Sequence, residues 1–174
     1  MPDRATRPIA GEYASDFERY IRLVQAGDIA DALDDQLKRT QSAFGRLSEV
    51  ESLIVHPPYE WTLKQVLGHV TDGERVFGYR ALRLARQDPT PLPGFDETHF
   101  MKFADFNSVP MTDLLEEFAS LRRSHVLFFK HASPDAWGWR GTVLGQPATC
   151  RALAFVMAGH MEHHLAIVKR RLGG

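Results

Sequence analysis

The chain has 174 residues, 44% of them hydrophobic, with Lys+Arg 21 against Asp+Glu 22 and a formal charge of −1. That length suits one domain, 1–174, with a substantial core, and the balanced charge offers no basic surplus for nucleic acid. No apolar run approaches the ~18 residues of a bilayer span, the first residues (MPDRATRPIAGEY) lack a signal-peptide core, and the lone Cys150 excludes an internal disulfide, so a cytoplasmic protein is expected.

Residues 12–25 (EYASDFERYIRLVQ) predict a short amphipathic helix with Tyr13, Phe17, Tyr20, Ile21 and Val24 inward, broken by Gly27-Asp28. Asp28 can cap a second helix that runs to about Glu49, its inward positions Ile29, Leu33, Leu37, Phe44 and Leu47 falling at helical spacing. His56-Pro57-Pro58 then stops any helix. Thr62 with Gln65 three residues on forms a capping-box pattern, which opens a third helix reaching about Gln87.

The core face of that third helix is Leu63, Val66, Val70, Phe77, Ala81 and Leu84. His69 sits at its edge, about 60° from the centre, where it can reach inward. Arg80 lies nearer the centre. A buried guanidinium without a partner costs several kcal/mol, so Arg80 calls for an acidic partner, an interface or an anionic ligand, the ion pair being the preferred expectation. Asp72, Glu74, Arg75, Arg83 and Arg86 fall mostly outward and need no function.

Residues 88–110 hold four prolines and one glycine and read as a long irregular connection, a lid or a crossover. Its aromatics Phe95, Phe100, Phe103 and Phe106 are expected to pack down, and Asp96 and His99 can line a pocket. Thr112 with Asp113, Glu116 and Glu117 marks the start of a further helix, with Leu114, Phe118, Leu121, His125 and Phe128 on its inner face. His125 reads as a satisfied core residue or a group supporting a site. His131 should face water. Residues 132–148, rich in Gly, Pro and Trp, return the chain to the last helix.

That last helix, Thr149 to Leu172, is apolar almost all round and should be mostly buried, apart from a narrow stripe of Arg151, Glu162 and Lys169. Cys150 at its start reads as a small buried apolar residue. His160 and His164 lie one turn apart among Leu153, Val156, Met157 and Ile167. Each can be a neutral core histidine satisfied by a carbonyl or hydroxyl. Alternatively, the i, i+4 pair supplies two nitrogen ligands to a divalent ion. His163 lies on the flank, a neighbour of such a site or a surface residue, and Glu162 points away, which excludes the general base of an HExxH enzyme. Four long helices read as a four-helix bundle, in which His69 can join the pair as third ligand and leave one position open.

GHVTDGERVFGYRALRLARQDPTPLPGFDE, preceded by EWTLKQVL, together with RALAFVMAGHMEHHL, resembles the DinB/YfiT-like family of metal-dependent enzymes over nearly the whole chain. The resemblance implies an all-α four-helix bundle with a long crossover, here with a short extra N-terminal helix. It also implies a divalent ion, zinc or nickel, on three histidines that map onto His69, His160 and His164. Family relatives include bacillithiol S-transferases and mycothiol-dependent maleylpyruvate isomerases, and many members are homodimers. The expected function is therefore metal-dependent thiol S-transfer or thiol-dependent isomerisation, with a low-molecular-weight thiol as cosubstrate and a small-molecule substrate, or hydrolysis. His163, Arg80 and His125 are candidates for substrate binding or site support. The alternatives are a non-catalytic metal-binding stress-response bundle and a bundle with three core histidines and no metal.

Overall fold

Helical periodicity and caps divide the chain much as the sequence predicts. The computed structural model describes residues 4–25 and 27–173. A 3-10 turn, Ser15–Phe17, leads into α1 (Glu18–Ile21), followed by α2 (Ile29–Phe44), α3 (Glu49–Ser52), α4 (Leu63–Ala85), α5 (Glu97–Phe103), α6 (Met111–His131), α7 (Pro134–Gly138), β1 (Arg140–Val143), β2 (Gln146–Thr149) and α8 (Cys150–Arg171). The long helices α2, α4, α6 and α8 form a four-helix bundle. No helix among the described residues is long and apolar enough to cross a membrane.

α4 packs against both α6 and α8, and α2 packs against the same two helices. Thus α2 and α4 share one diagonal of the bundle, and α6 and α8 share the other. A tight turn joins only adjacent antiparallel helices, so the diagonal steps use the long connections 45–62 and 132–149. The longest connection, 86–110, joins the adjacent pair α4 and α6.

The caps account for the element boundaries. Asp28 accepts from the Ala30 amide, and Thr62 and Gln65 make both bonds of the predicted capping box. The second helix stops at Phe44, short of Glu49, because Ser48 and Glu51 form a capping box of their own and start α3. α6 begins at Met111, and its amide donates to the Glu49 carboxylate at 2.8 Å. Its cap therefore comes from α3, and Thr112 bonds only its neighbour Asp113. The N-terminal helix is shorter than 12–25, because the Arg7 guanidinium takes the carbonyls of Ile21 and Val24 that would otherwise continue it. The second glycine of the C-terminal pair, Gly174, lies outside the described residues.

Two connections hold more structure than their composition suggests. Within 88–110, the Asp96 side chain accepts from the His99 amide and nucleates α5. Met101 is buried there, while Phe100 and Phe103 are exposed, so only Phe95 and Phe106 pack down as expected. Within 132–148, β1 and β2 pair as a hairpin whose turn residues, Leu144 and Gly145, are both left-handed. That backbone is the one a two-residue hairpin needs, although leucine is not the usual occupant.

The inner face of α6 is rotated from the predicted one. Leu121, His125 and Phe128 are only partly buried, whereas Arg122, Val126 and Phe129 are fully enclosed. Arg122 explains the rotation. Its Nε and Nη2 donate to the two oxygens of Glu74 on α4, at 3.1 and 2.6 Å, and its Nη1 donates to Gln36 on α2 at 2.7 Å. Glu74, expected outward, is therefore 2% exposed. Gln36 in turn donates to the Ala158 carbonyl and to Glu162 on α8. Arg151 is also inside the protein, paired with Glu12.

Removing one partner of a buried ion pair leaves the other charge stranded. Arg122→Ala is expected to lower stability in urea unfolding by about 3–5 kcal/mol, whereas Arg75→Ala, which breaks the exposed pairs to Asp72 and Glu117, costs less than about 1 kcal/mol.

Candidate metal centre

α4 and α8 are adjacent, and at their contact both helices turn histidines toward each other. His69 projects from α4, and His160 and His164 project from successive turns of α8. Their rings converge through Nε2: His69 lies 3.1 Å from His160, and His164 lies 3.2 Å from His160. One ligand atom from each residue lies within 4.8 Å of the others. His160 and His164 are buried and His69 is partly exposed. Gly73, one helical turn beyond His69, leaves room for this packing, since a Cβ there would lie 3.1 Å from His160 Cε1.

The donor set fits a divalent cation. Nitrogens bound tetrahedrally to zinc at 2.0–2.1 Å are about 3.3 Å apart, close to the two observed separations. Without a cation the arrangement satisfies itself poorly. His160 Nε2 has a single in-plane site, yet it faces two other Nε2 atoms. The rings are held neutral, as ligands must be. Burial pushes the His164 pKa down to about 3 and the His160 pKa well below the usual histidine value, with the neighbouring histidines adding to the effect. His69 is also lowered by burial, against an opposing pull from Glu97.

Aromatic rings enclose the cluster. Trp61 lies 5.0 Å from His69, and Tyr20 and Phe77 meet His160 edge-on at 5.4 and 5.6 Å. A cleft of about 170 Å³ opens onto His69 and His160, lined also by Phe17, Arg19, Arg80, Phe95, Glu97 and Leu144.

The profile of the DinB superfamily matches residues 32–168, the span that holds all three histidines. The chain belongs to the DinB superfamily. No curated protein sequence matches it. Among solved structures, this DinB chain is similar to YfiT from Bacillus subtilis, described as "a probable metal-dependent hydrolase with an unusual four-helix bundle topology". The two share 14% sequence identity at a TM-score of 0.73, over 97% of this chain and 94% of that one. At that identity the likeness establishes the fold alone.

The other candidates separate from the cluster to different degrees. Arg80 lines the cleft but has no carboxylate partner among the described residues, contrary to the expected ion pair; its Nη2 donates to the Pro93 carbonyl at 2.7 Å. His163 is exposed on the flank, its ring 5.0 Å from that of His164. His125 bonds Glu74 at 3.1 Å and so supports the buried ion pair, with no contact to the three histidines. Glu162 is turned to Gln36 and Arg39, as the helical wheel requires. Cys150 is buried, and desolvation raises its thiol to about 12, as befits an inert core residue. Asp96 and His99 do not line the cleft; Glu97, the first residue of α5, does. The Asp96 cap was legible as the start of a short helix, but the face that its first residue presents to the cleft was not.

The depressed pKa of His164 has a sign that can be worked out. In metal-free protein the unfolded chain takes up a proton near pH 6.5 that the folded site refuses, so stability is complete above that pH and falls as pH drops toward about 3. In chelator-treated protein, His164→Gln is expected to flatten the loss of stability between about pH 6 and 5 by roughly 1 kcal/mol per pH unit. Urea unfolding at several pH values checks this, and an unchanged slope would mean that His164 titrates as an exposed histidine does.

Proposed function

We propose that the protein is an enzyme in which His69, His160 and His164 hold one divalent ion, zinc or nickel, beside an open cleft. The convergence of three neutral Nε2 atoms at metal-ligand spacing carries this reading. Three protein ligands with a free position are the catalytic rather than the structural arrangement. A bound divalent cation would lower the pKa of a water or thiol at that position and yield a nucleophile near neutral pH.

The chain's own residues do the rest. His160 and His164, one turn apart on a rigid helix, fix two ligand directions, and His69 fixes the third from the facing helix. Phe77, Tyr20 and Trp61 keep bulk water from the nitrogens, so electrostatic effects in the site are strong. The cleft admits a small molecule at the open side, with Glu97 near enough to His69 to influence its charge. We assign the finer chemistry to transfer of a low-molecular-weight thiol or thiol-dependent isomerisation, which the sequence resemblance supports. Hydrolysis is the second reading, supported by the fold shared with YfiT and by its description. A non-catalytic metal-binding bundle would leave the open cleft without a role. We take the chain as one cytoplasmic domain that forms a homodimer, as the family implies; a solution mass equal to that of one chain overturns the dimer.

Elemental analysis of untagged protein is expected to find about one equivalent of divalent metal and little in His69→Ala, His160→Ala or His164→Ala. Glu162→Ala should retain it. A metal-free parent, even after incubation with zinc or nickel, overturns the proposal. With metal in place, turnover of a thiol with an electrophile, or of an ester with water, separates the two chemistries.

A further inference from the structure

Arg80 is 3% exposed, yet no carboxylate among the described residues meets it. One nitrogen donates to the Pro93 carbonyl, the Phe95 ring lies 5.5 Å from the guanidinium carbon, and desolvation lowers its pKa with no acidic group opposing. Arg122 and Arg151 are buried with acids, Glu74 and Glu12, and Arg171, which like Arg80 meets no acid among the described residues, spreads its donors over the Ile54 and Trp61 carbonyls and the His56 ring, away from the histidine cleft. A buried guanidinium left with one carbonyl is costly unless something else completes its fork of donors. Arg80 lines the same cleft as His69 and His160.

The hairpin tip, which lines the same cleft, carries a second irregularity. Leu144 sits at φ 55°, a left-handed backbone that is unfavourable for leucine, and it is 49% exposed. Gly or Asn would satisfy the turn without that cost. The strain is held in place because the Leu144 amide donates to Leu92 O and the Leu92 amide donates to Thr142 O. The same strap, residues 92–95, supplies the carbonyl and the ring that position Arg80. Strap and hairpin tip therefore fix Arg80 and Leu144 together at the cleft, beside Phe17, Phe77 and Phe95. Strain of this kind persists where it serves a site.

We infer that the substrate is a small apolar or aromatic molecule bearing a carboxylate, with the carboxylate on Arg80 and the apolar body against Phe95, Phe77 and Leu144. This rests on the metal-enzyme reading for its function but not for its binding. A carboxylate suits the fork because it accepts two parallel N–H bonds. Arg80 then anchors one end of the molecule and sets which part of it meets the histidine cluster. Glu97 lies on the cleft wall near His69 and repels the carboxylate from that end, which fixes the orientation.

The probe is benzoate, with benzamide as its uncharged counterpart, titrated calorimetrically into zinc-loaded and into chelator-treated protein. Benzoate is expected to bind at least tenfold more tightly than benzamide in both preparations, and Arg80→Gln to abolish that preference while leaving benzamide unchanged. Equal affinities for the two probes, no benzoate binding at ~10 mM, or an Arg80→Gln variant that keeps the preference would overturn the inference. Benzoate binding that needs zinc and ignores Arg80 would also overturn it, by placing the carboxylate on the metal. The comparison in the parent protein stands even where the variant fails to fold. Because chelator-treated protein tests Arg80 without the ion, loss of the metal reading and loss of this one give different results.

Discussion

The Glu74–Arg122 pair holds the bundle in register. Arg122 is fully enclosed on α6, its two carboxylate bonds reach α4, its third bond reaches Gln36 on α2, and Gln36 passes the connection to α8 through Ala158 and Glu162. Apolar packing alone tolerates small rotations of one helix against another, whereas a bidentate guanidinium does not. His160 lies two residues beyond the carbonyl that Gln36 fixes, and His69 lies five residues before Glu74. The polar net thus sets the azimuth of the two helices that carry the histidines. Precision of that kind is what a ligand set requires from its scaffold.

The site is built with little material. Two helices supply all three nitrogens, a glycine on the facing turn makes space for one ring, and aromatic rings close the sides. Gly78 does for His125 what Gly73 does for His160: a Cβ there would overlap the imidazole. Both glycines lie in α4, a helix otherwise rich in good helix formers, where each costs about 1 kcal/mol relative to alanine. Close approach of an imidazole from the neighbouring helix explains both.

Much of this was legible in the chain itself. The long helices announce themselves through periodicity and through Asp28, Thr62 and Gln65, and the histidines stood out because imidazoles fell on apolar faces. The rest depended on partners distant in sequence. Glu74 looks like one more surface acid until Arg122 arrives from α6, and the rotation of that helix follows from the pair rather than from hydrophobic periodicity. Likewise, the cap of α6 is Glu49, 62 positions away, and the helix–hairpin segment before α8 hides in a stretch whose Gly, Pro and Trp content reads as loop. Arg80 was recognisable as needing a partner, but its choice of a carbonyl over an acid belongs to the strap that folds across it.

The diagonal connectivity also governs the order in which the molecule can assemble. α2 and α4 are consecutive long helices that do not pack on each other, and neither do α6 and α8, so the only consecutive pair able to form a local hairpin is α4 with α6. The contacts between its long helices are therefore remote in sequence, a pattern associated with slow folding. α8 follows every other helix in the chain and carries two of the three histidines. During synthesis the earlier helices emerge with His69 alone, a single imidazole with no useful hold on an ion. An ion held by all three histidines would therefore be captured only as α8 closes the bundle, so the proposed centre and the final packing would form together.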